Sequence, residues 1–267
     1  MAHQKGTALI TGASSGIGAI YADRLAKRGY DLVLVARSAE KLAAAATRLS
    51  LATGRKVEAI PADLGKSADL ARIEDRLRQD TSITVLVNNA GFGSAAPLLS
   101  ADVDEMEAMI DLNVTALTRL AYAAAPGFAA RGEGTIINIS SIVAIYPEVL
   151  NGVYGASKAY VLALSHSLQH ELGDKGVRVQ AVLPGATETN FWAVAGVPRE
   201  HLPNEMVMPA EDMVDAALAG LDTGERVTIP ALPDGGEWDR WEAARLAMSP
   251  RLSASAPAVR YRQRETV

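Results

Sequence analysis

Tyr154 and Lys158 stand four residues apart in the run Tyr154-Gly-Ala-Ser-Lys158. On a helix this spacing puts a phenol and an ammonium on one face, about 5–6 Å apart at Cβ. A phenol ionises near ~10 and an ammonium near ~10.4, and a cation beside a phenol favours the phenolate. Such a pair can therefore give or take a proton closer to neutrality than a lone tyrosine can. Pairs of this kind also recur on helix surfaces with no chemical role, so the companions decide. Upstream, Ser141 closes the run Gly134-Thr-Ile-Ile-Asn-Ile-Ser-Ser141. Its β-branched residues and the bounding Gly132 and Gly134 read as a short strand buried on both faces of a parallel sheet. Ser141 then sits at the carboxyl end of that strand, where open α/β sheets bind their ligands.

A second group of residues suits phosphate. Thr11-Gly-Ala-Ser-Ser-Gly-Ile-Gly18 follows an apolar strand and opens directly into a helical pattern. Glycines let the chain turn tightly and let main-chain N–H groups approach a pyrophosphate resting on the helix amino terminus. The bland alternative is an ordinary strand-to-helix turn, and no Lys-Ser or Lys-Thr follows the glycines as a Walker loop requires. At the end of the next strand stands Val35-Ala36-Arg37-Ser38. An acidic residue there suits the free 2′-hydroxyl of NAD, whereas the planar fork of Arg37 suits a 2′-phosphate, which points to NADP(H). A solvated surface arginine is the other reading of Arg37.

Alternating segments must position these residues. Strand-like runs over 7–11, 31–36, 56–61, 84–88, 135–140 and 178–183 alternate with helical patterns over 16–28, 39–52, 67–79, 102–130 and 152–172. That order predicts an α/β fold: a single doubly wound Rossmann-type domain, with about seven parallel strands and helices on both faces. We expect residues 1–248 to form this domain, with a Gly/Pro-punctuated lid at about 186–210 and a tail over 249–267. Phe191, Trp192 and Val194 fall in the lid segment with Gly196, Pro198, Pro203 and Pro209; packing or an oligomer contact is the competing use of those aromatics. Trp238, Trp241, Ala244, Leu246 and Met248 read first as packing.

Composition narrows the classes further. The chain has 267 residues, 49% of them hydrophobic, and a formal charge of −5. Net acidity argues against nucleic acid as the main partner, although Arg251, Arg260, Arg262 and Arg264 make the end locally basic. The absence of cysteine excludes disulfides and thiolate chemistry. No signal-peptide core and no apolar run of ~18 residues is visible, so a soluble, cytoplasmic protein that does not engage a membrane is expected. His166 and His170 stand four apart, but Ser167 occupies the place a zinc protease gives to glutamate, and no third ligand is apparent. No metal is expected; His3 and His201 carry no assignment.

Taken together, these residues resemble the short-chain dehydrogenase/reductase superfamily over roughly residues 6–230. The motifs are the loop at 11–18, Asp63-Leu64, Asn88-Asn-Ala-Gly91, Asn113, Ser141, Tyr154, Lys158, and Pro184-Gly185 followed by Thr189. The resemblance implies that Tyr154 is the general acid/base, that Ser141 holds the substrate oxygen, and that Lys158 binds the nicotinamide ribose and tunes Tyr154. Asn113 would support a water-linked proton relay. The cofactor set implied is Gly12, Ser14, Ser15, Gly16, Ile17, Gly18, Arg37, Ser38, Asp63, Leu64, Asn89, Ala90, Gly91, Tyr154, Lys158, Pro184, Gly185, Thr187 and Thr189. The reaction implied is hydride transfer between NADP(H) and a small-molecule carbonyl or secondary alcohol. The assembly implied is a homodimer or homotetramer paired through helices 102–130 and 152–172, and residues 249–267 are expected on a neighbouring subunit or against the lid. An epimerase or dehydratase on the same scaffold, and a cofactor-sensing binding protein, are the alternatives; the presence of Asn113, Ser141, Tyr154 and Lys158 together favours an enzyme. One departure stands out: beyond Val227-Thr-Ile-Pro-Ala-Leu-Pro-Asp-Gly-Gly236 runs a Trp-bearing extension, unlike the acyl-carrier-protein reductases of the superfamily.

Overall fold

A computed structural model describes residues 5–150, 152–197 and 202–262, so His3, Pro198, His201 and Arg264 lie outside the described residues. The chain divides into two compact units, Met1–Ala231 and Leu232–Val267. In the first, seven strands form one parallel sheet in the order β3-β2-β1-β4-β5-β6-β7. The strands are β1 (Thr7–Thr11), β2 (Asp31–Ala36), β3 (Val57–Pro61), β4 (Ile83–Asn88), β5 (Gly134–Ile139), β6 (Val177–Val182) and β7 (Val227–Thr228).

Alternation along each strand divides the core in two, because successive side chains point to opposite faces. Ala8, Ile10, Leu32, Leu34, Ile137 and Ile139 face one side. There they meet α1 (Gly16–Lys27), α2 (Ala39–Thr53) and α8 (Ala210–Thr223) through residues such as Tyr21, Leu25, Leu42, Leu49, Met213 and Leu218. Leu9, Val33, Val35 and Ile136 face the other side, against Leu70, Ile73 and Leu77 of α3 (Ser67–Gln79), Leu120 and Phe128 of α5 (Leu117–Arg131), and Leu168 and Leu172 of α6 (Gly152–Leu172). β1 and β5 are buried along their whole length, which is why they read as continuous apolar runs.

The strand order reverses between β1 and β4, and a crevice opens at such a reversal beyond the carboxyl ends of the strands. The long helix expected over 102–130 comes as three consecutive pieces: α4 (Val103–Ile110), a π-helical turn (Asp111–Ala116) and α5. Such widened turns are rare and cluster at functional sites; this one holds Asn113. A four-residue helix, α7 (Phe191–Val194), lies in the segment expected to be a lid.

The second unit consists of α9 (Gly235–Ala247) and two short turns, Ser249–Arg251 and Val259–Tyr261. Asp234 caps α9, its carboxylate accepting the Gly236 N–H at 2.9 Å. Trp238 and Trp241 stack along the helix with ring centroids 4.7 Å apart. Among the described residues, no helix is long and apolar enough to cross a membrane.

Candidate active site

The strands β1 to β6 each deliver one part of the expected site at their carboxyl ends. In order these are Gly12, Arg37, Asp63, Asn89, Ser141 and Pro184. A parallel sheet forces this convergence, since all its strands end on the same edge.

The glycine loop is shaped by contacts that leave no room for side chains. Gly12 and Gly16 take positive φ values of 68° and 53°. A Cβ on Gly18 would lie 2.4 Å from the Gly12 carbonyl oxygen and 2.5 Å from Asn89 Nδ2. Asn89 holds the loop, its amide donating to the Thr11 carbonyl at 2.9 Å and to that of Gly12 at 3.4 Å. The Thr11 hydroxyl accepts from the Asn89 and Ala90 N–H groups at 2.9 and 3.0 Å and donates to the Val87 carbonyl. Asn89 and Thr11 thus act on the chain itself, a role the sequence reading did not give to Thr11. Ser15, at the N-cap of α1, makes no side-chain capping bond. The first-turn N–H groups and the positive end of the helix dipole are therefore directed at the crevice, as a pyrophosphate requires. Thr189 lies over this turn, its Cγ2 3.3 Å from where a Cβ on Gly16 would stand.

Farther along the crevice, Arg37 is exposed and, among the described residues, joins no ion pair, which suits it to an incoming phosphate. Ser38 caps α2, accepting the Lys41 N–H at 3.3 Å. Asp63 closes a tight turn by accepting the Gly65 N–H at 3.2 Å, next to buried Leu64. At the other end, Thr187 is buried and its hydroxyl donates to the Gly185 carbonyl. These residues fit a dinucleotide: a glycine cradle at a helix amino terminus, a carboxylate at one side and a free guanidinium beyond.

The Ser141 hydroxyl stands beside the Tyr154 phenol; it donates to the Pro184 carbonyl at 3.4 Å and accepts the Val143 N–H at 3.3 Å. Burial pushes the Tyr154 phenol up to about 12, and the neighbouring Ser141 hydroxyl opposes that rise. Lys158 is buried too, and burial pushes its ammonium down to about 8. Its Nζ donates to the Ile139 carbonyl at 3.0 Å and lies 5.7 Å from the centre of the Tyr154 ring. The phenol is raised, where the pairing with an ammonium was expected to pull it toward neutrality: burial of Tyr154 outweighs the attraction of Nζ, 5.7 Å from the ring centre.

Asn113 is clamped. Its Oδ1 accepts the Phe92 N–H at 3.1 Å, and its Nδ2 donates to the Phe92 carbonyl at 2.8 Å and to Ser157 Oγ at 3.2 Å. Ser157 in turn donates to the Tyr154 carbonyl at 2.8 Å. The Asn113 amide therefore ties the loop after β4 to the turn of α6 that carries Tyr154. Gly91 makes this possible, because a Cβ there would fall 2.8 Å from Asn113 Oδ1. Met106, Met109 and Val143, with Phe92, Leu150 and Phe191 partly covered, pack around Tyr154 as an apolar wall.

Sequence reasoning missed Ser157, Asn138, Gly93 and this wall. Asn138 accepts from Asn88 Nδ2 and donates to Ser165 Oγ, both at 3.0 Å, which fixes the ends of β4 and β5. A lone asparagine inside an isoleucine run was the available signal. Among the described residues, no cluster of three or more His, Cys, Asp or Glu side chains can hold a metal ion.

A parallel sheet with this crevice, glycine turn and Tyr-Lys helix defines a dinucleotide-dependent oxidoreductase of the Rossmann type. A family model described as short chain dehydrogenase matches residues 6–197, and the chain belongs to that family. Over 185 residues it is 40% identical to human 17-beta-hydroxysteroid dehydrogenase type 3 (Homo sapiens), a match covering 68% of this chain but 59% of that protein's length. Among solved structures, it is similar to a short-chain dehydrogenase from Sphingobium yanoikuyae in complex with NADPH. That likeness has 49% identity and a TM-score of 0.94, covering 96% of this chain and 100% of the other. It is also similar to the bulky-bulky ketone specific alcohol dehydrogenase from Comamonas testosteroni, with 46% identity, a TM-score of 0.88, and coverage of 96% and 98%.

Proposed function

We propose that the protein is an NADP(H)-dependent ketone reductase, which in reverse oxidises secondary alcohols. The observation that carries this reading is the buried Tyr154 phenol with the Ser141 hydroxyl at its side, walled by apolar side chains, with Ser141 at the same carboxyl edge of the sheet as the glycine cradle. Arg37 supports the phosphorylated dinucleotide, as does the NADPH held by the related Sphingobium dehydrogenase. The ketone specificity of the Comamonas relative supports the substrate class.

When bound, NADPH supplies the hydride. As negative charge develops on the substrate oxygen, Tyr154 gives it the phenolic proton and Ser141 donates a second hydrogen bond. Lys158, its Nζ 5.7 Å from the ring centre, stabilises the phenolate that remains. Asn113 and Ser157 keep the turn carrying Tyr154 fixed, so its hydroxyl stays where the oxygen arrives. In the oxidative direction Tyr154 takes the proton back.

The test is NADPH consumption across aryl ketones, diketones, aldehydes, sugars and acyl thioesters, with product analysis. Reduction of ketones is expected; turnover without loss of NADPH absorbance supports the epimerase or dehydratase alternative instead.

Cofactor choice is tested at Arg37. Losing an arginine–phosphate pair costs about 1.5–3 kcal/mol, so Arg37→Ala is expected to weaken NADP binding by roughly ten- to a hundredfold and to leave NAD binding nearly unchanged. Equal losses for both cofactors in titrations defeat the assignment.

The exposed Ile110 at the end of α4, Tyr122 on α5 and Tyr160 on α6 support pairing of identical subunits through these helices. Light scattering on the full chain is expected to report a dimer or tetramer; a monomer rules this out.

A further inference from the structure

We propose that Phe191 sets the size of the substituent the site admits, and that Gly93 is the position that allows it to do so; this deepens the ketone-reductase reading and rests on it. Phe191 opens α7, and its ring lies 5.5 Å from that of Tyr154, tilted by 44°. A Cβ on Gly93 would fall 2.5 Å from Phe191 Cζ, 2.9 Å from its Cε2 and 3.2 Å from Tyr154 Cδ2. Three segments, the loop after β4, α6 and α7, thus meet where only a hydrogen atom fits. Because Tyr154 is the group that protonates the substrate oxygen, whatever lies on its ring stands beside the substituents of the reacting carbon.

The main chain on either side of Phe191 is moored. Its N–H donates to Thr189 Oγ1 at 3.3 Å, Trp192 Nε1 donates to the Thr187 carbonyl at 2.9 Å, and the Ala195 carbonyl accepts the Ala95 N–H at 3.0 Å. Thr187 and Met208 pair as a short parallel bridge that closes the base of the segment. The Phe191 ring is only partly buried, so rotation of the side chain, not movement of the backbone, is the cheap way to make room. The side chains it packs among, Met106, Met109, Val143 and Leu150, are apolar. The site so described takes ketones with apolar substituents, and Phe191 occupies volume that a second large substituent needs.

The test measures kcat/KM for a diaryl ketone and a small methyl ketone in Phe191→Ala, Gly93→Ala and the double variant. Phe191→Ala is expected to raise the preference for the diaryl ketone by about tenfold or more, the scale at which pocket volume discriminates. Gly93→Ala, whose methyl drives the ring out over Tyr154, is expected to lower that preference by about tenfold. In the Phe191→Ala background the same Gly93 change is expected to act by no more than about twofold, because its effect passes through the missing ring. Phe191→Leu keeps an apolar side chain for the lid to pack and is expected to shift preference in the same direction by less. An unchanged ratio in both Phe191 variants, or a Gly93 effect of equal size with and without the ring, overturns the assignment alone. A wild-type protein that reduces no ketone overturns the reductase reading and this assignment with it.

Discussion

Tyr154→Phe is expected to lower kcat by about 10²–10⁴ while NADPH affinity stays nearly the same. That range is what a positioned proton donor contributes, and in the proposed mechanism the phenolic hydroxyl acts on the substrate oxygen. The variant leaves the ring against Phe191, so the apolar wall is preserved while the phenolic hydroxyl is lost. Steady-state kinetics paired with a cofactor titration separate the two effects. A variant keeping more than about a hundredth of wild-type kcat shows that another group gives the proton. Because burial pushes the phenol up to about 12, Tyr154 carries its proton across the neutral range. Ketone reduction, which uses the protonated form, is therefore expected to persist at neutral pH, and alcohol oxidation, which uses the phenolate, to accelerate as pH rises.

Lys158→Met is expected to harm turnover and help stability. The ammonium lies 5.7 Å from the centre of the Tyr154 ring, and its loss is expected to lower kcat on the order of 10²-fold and to weaken NADPH binding. The stability effect has the opposite sign. Lys158 ionises at about 8 in the folded chain against a normal value of 10.5. Between those pH values the unfolded chain holds a proton that the folded chain has released, so stability rises with pH across that window. Below pH 8 the folded protein carries a buried ammonium at a cost of roughly 3 kcal/mol. Methionine removes that cost but leaves the Ile139 carbonyl without its donor, a loss of about 1–3 kcal/mol. The net gain expected at pH 7 is about 0–2 kcal/mol, turning into a net loss toward pH 10.5, where the cost of the buried charge has vanished. Thermal unfolding of the cofactor-free protein at pH 7 and pH 10 measures it, and a Tm lower than wild type at pH 7 contradicts the account.

The sequence by itself determined the elements and the chemical types at their ends. Strand order along the chain, the glycine turn after β1, Arg37 after β2, Ser141 after β5 and the Tyr-Lys helix were all legible. Each depends on short-range periodicity or on conformations that only glycine adopts readily. Alternation along β1 and β2 already divided Ile10 and Leu34 from Leu9 and Val33, and they pack on opposite faces of the sheet. The tertiary structure decided what touches what. Spacing put Lys158 and Tyr154 on one face, but the packing of β5 beneath α6 sent the ammonium to the Ile139 carbonyl and left it against the ring. The π-helical turn at Asp111–Ala116 and the seating of the Asn113 amide on Phe92 and Ser157 join three segments distant in sequence. The fit of Phe191 over Gly93 joins residues nearly a hundred positions apart. Contacts of that range arise when close-packed elements fix one another's side chains, and no local pattern encodes them.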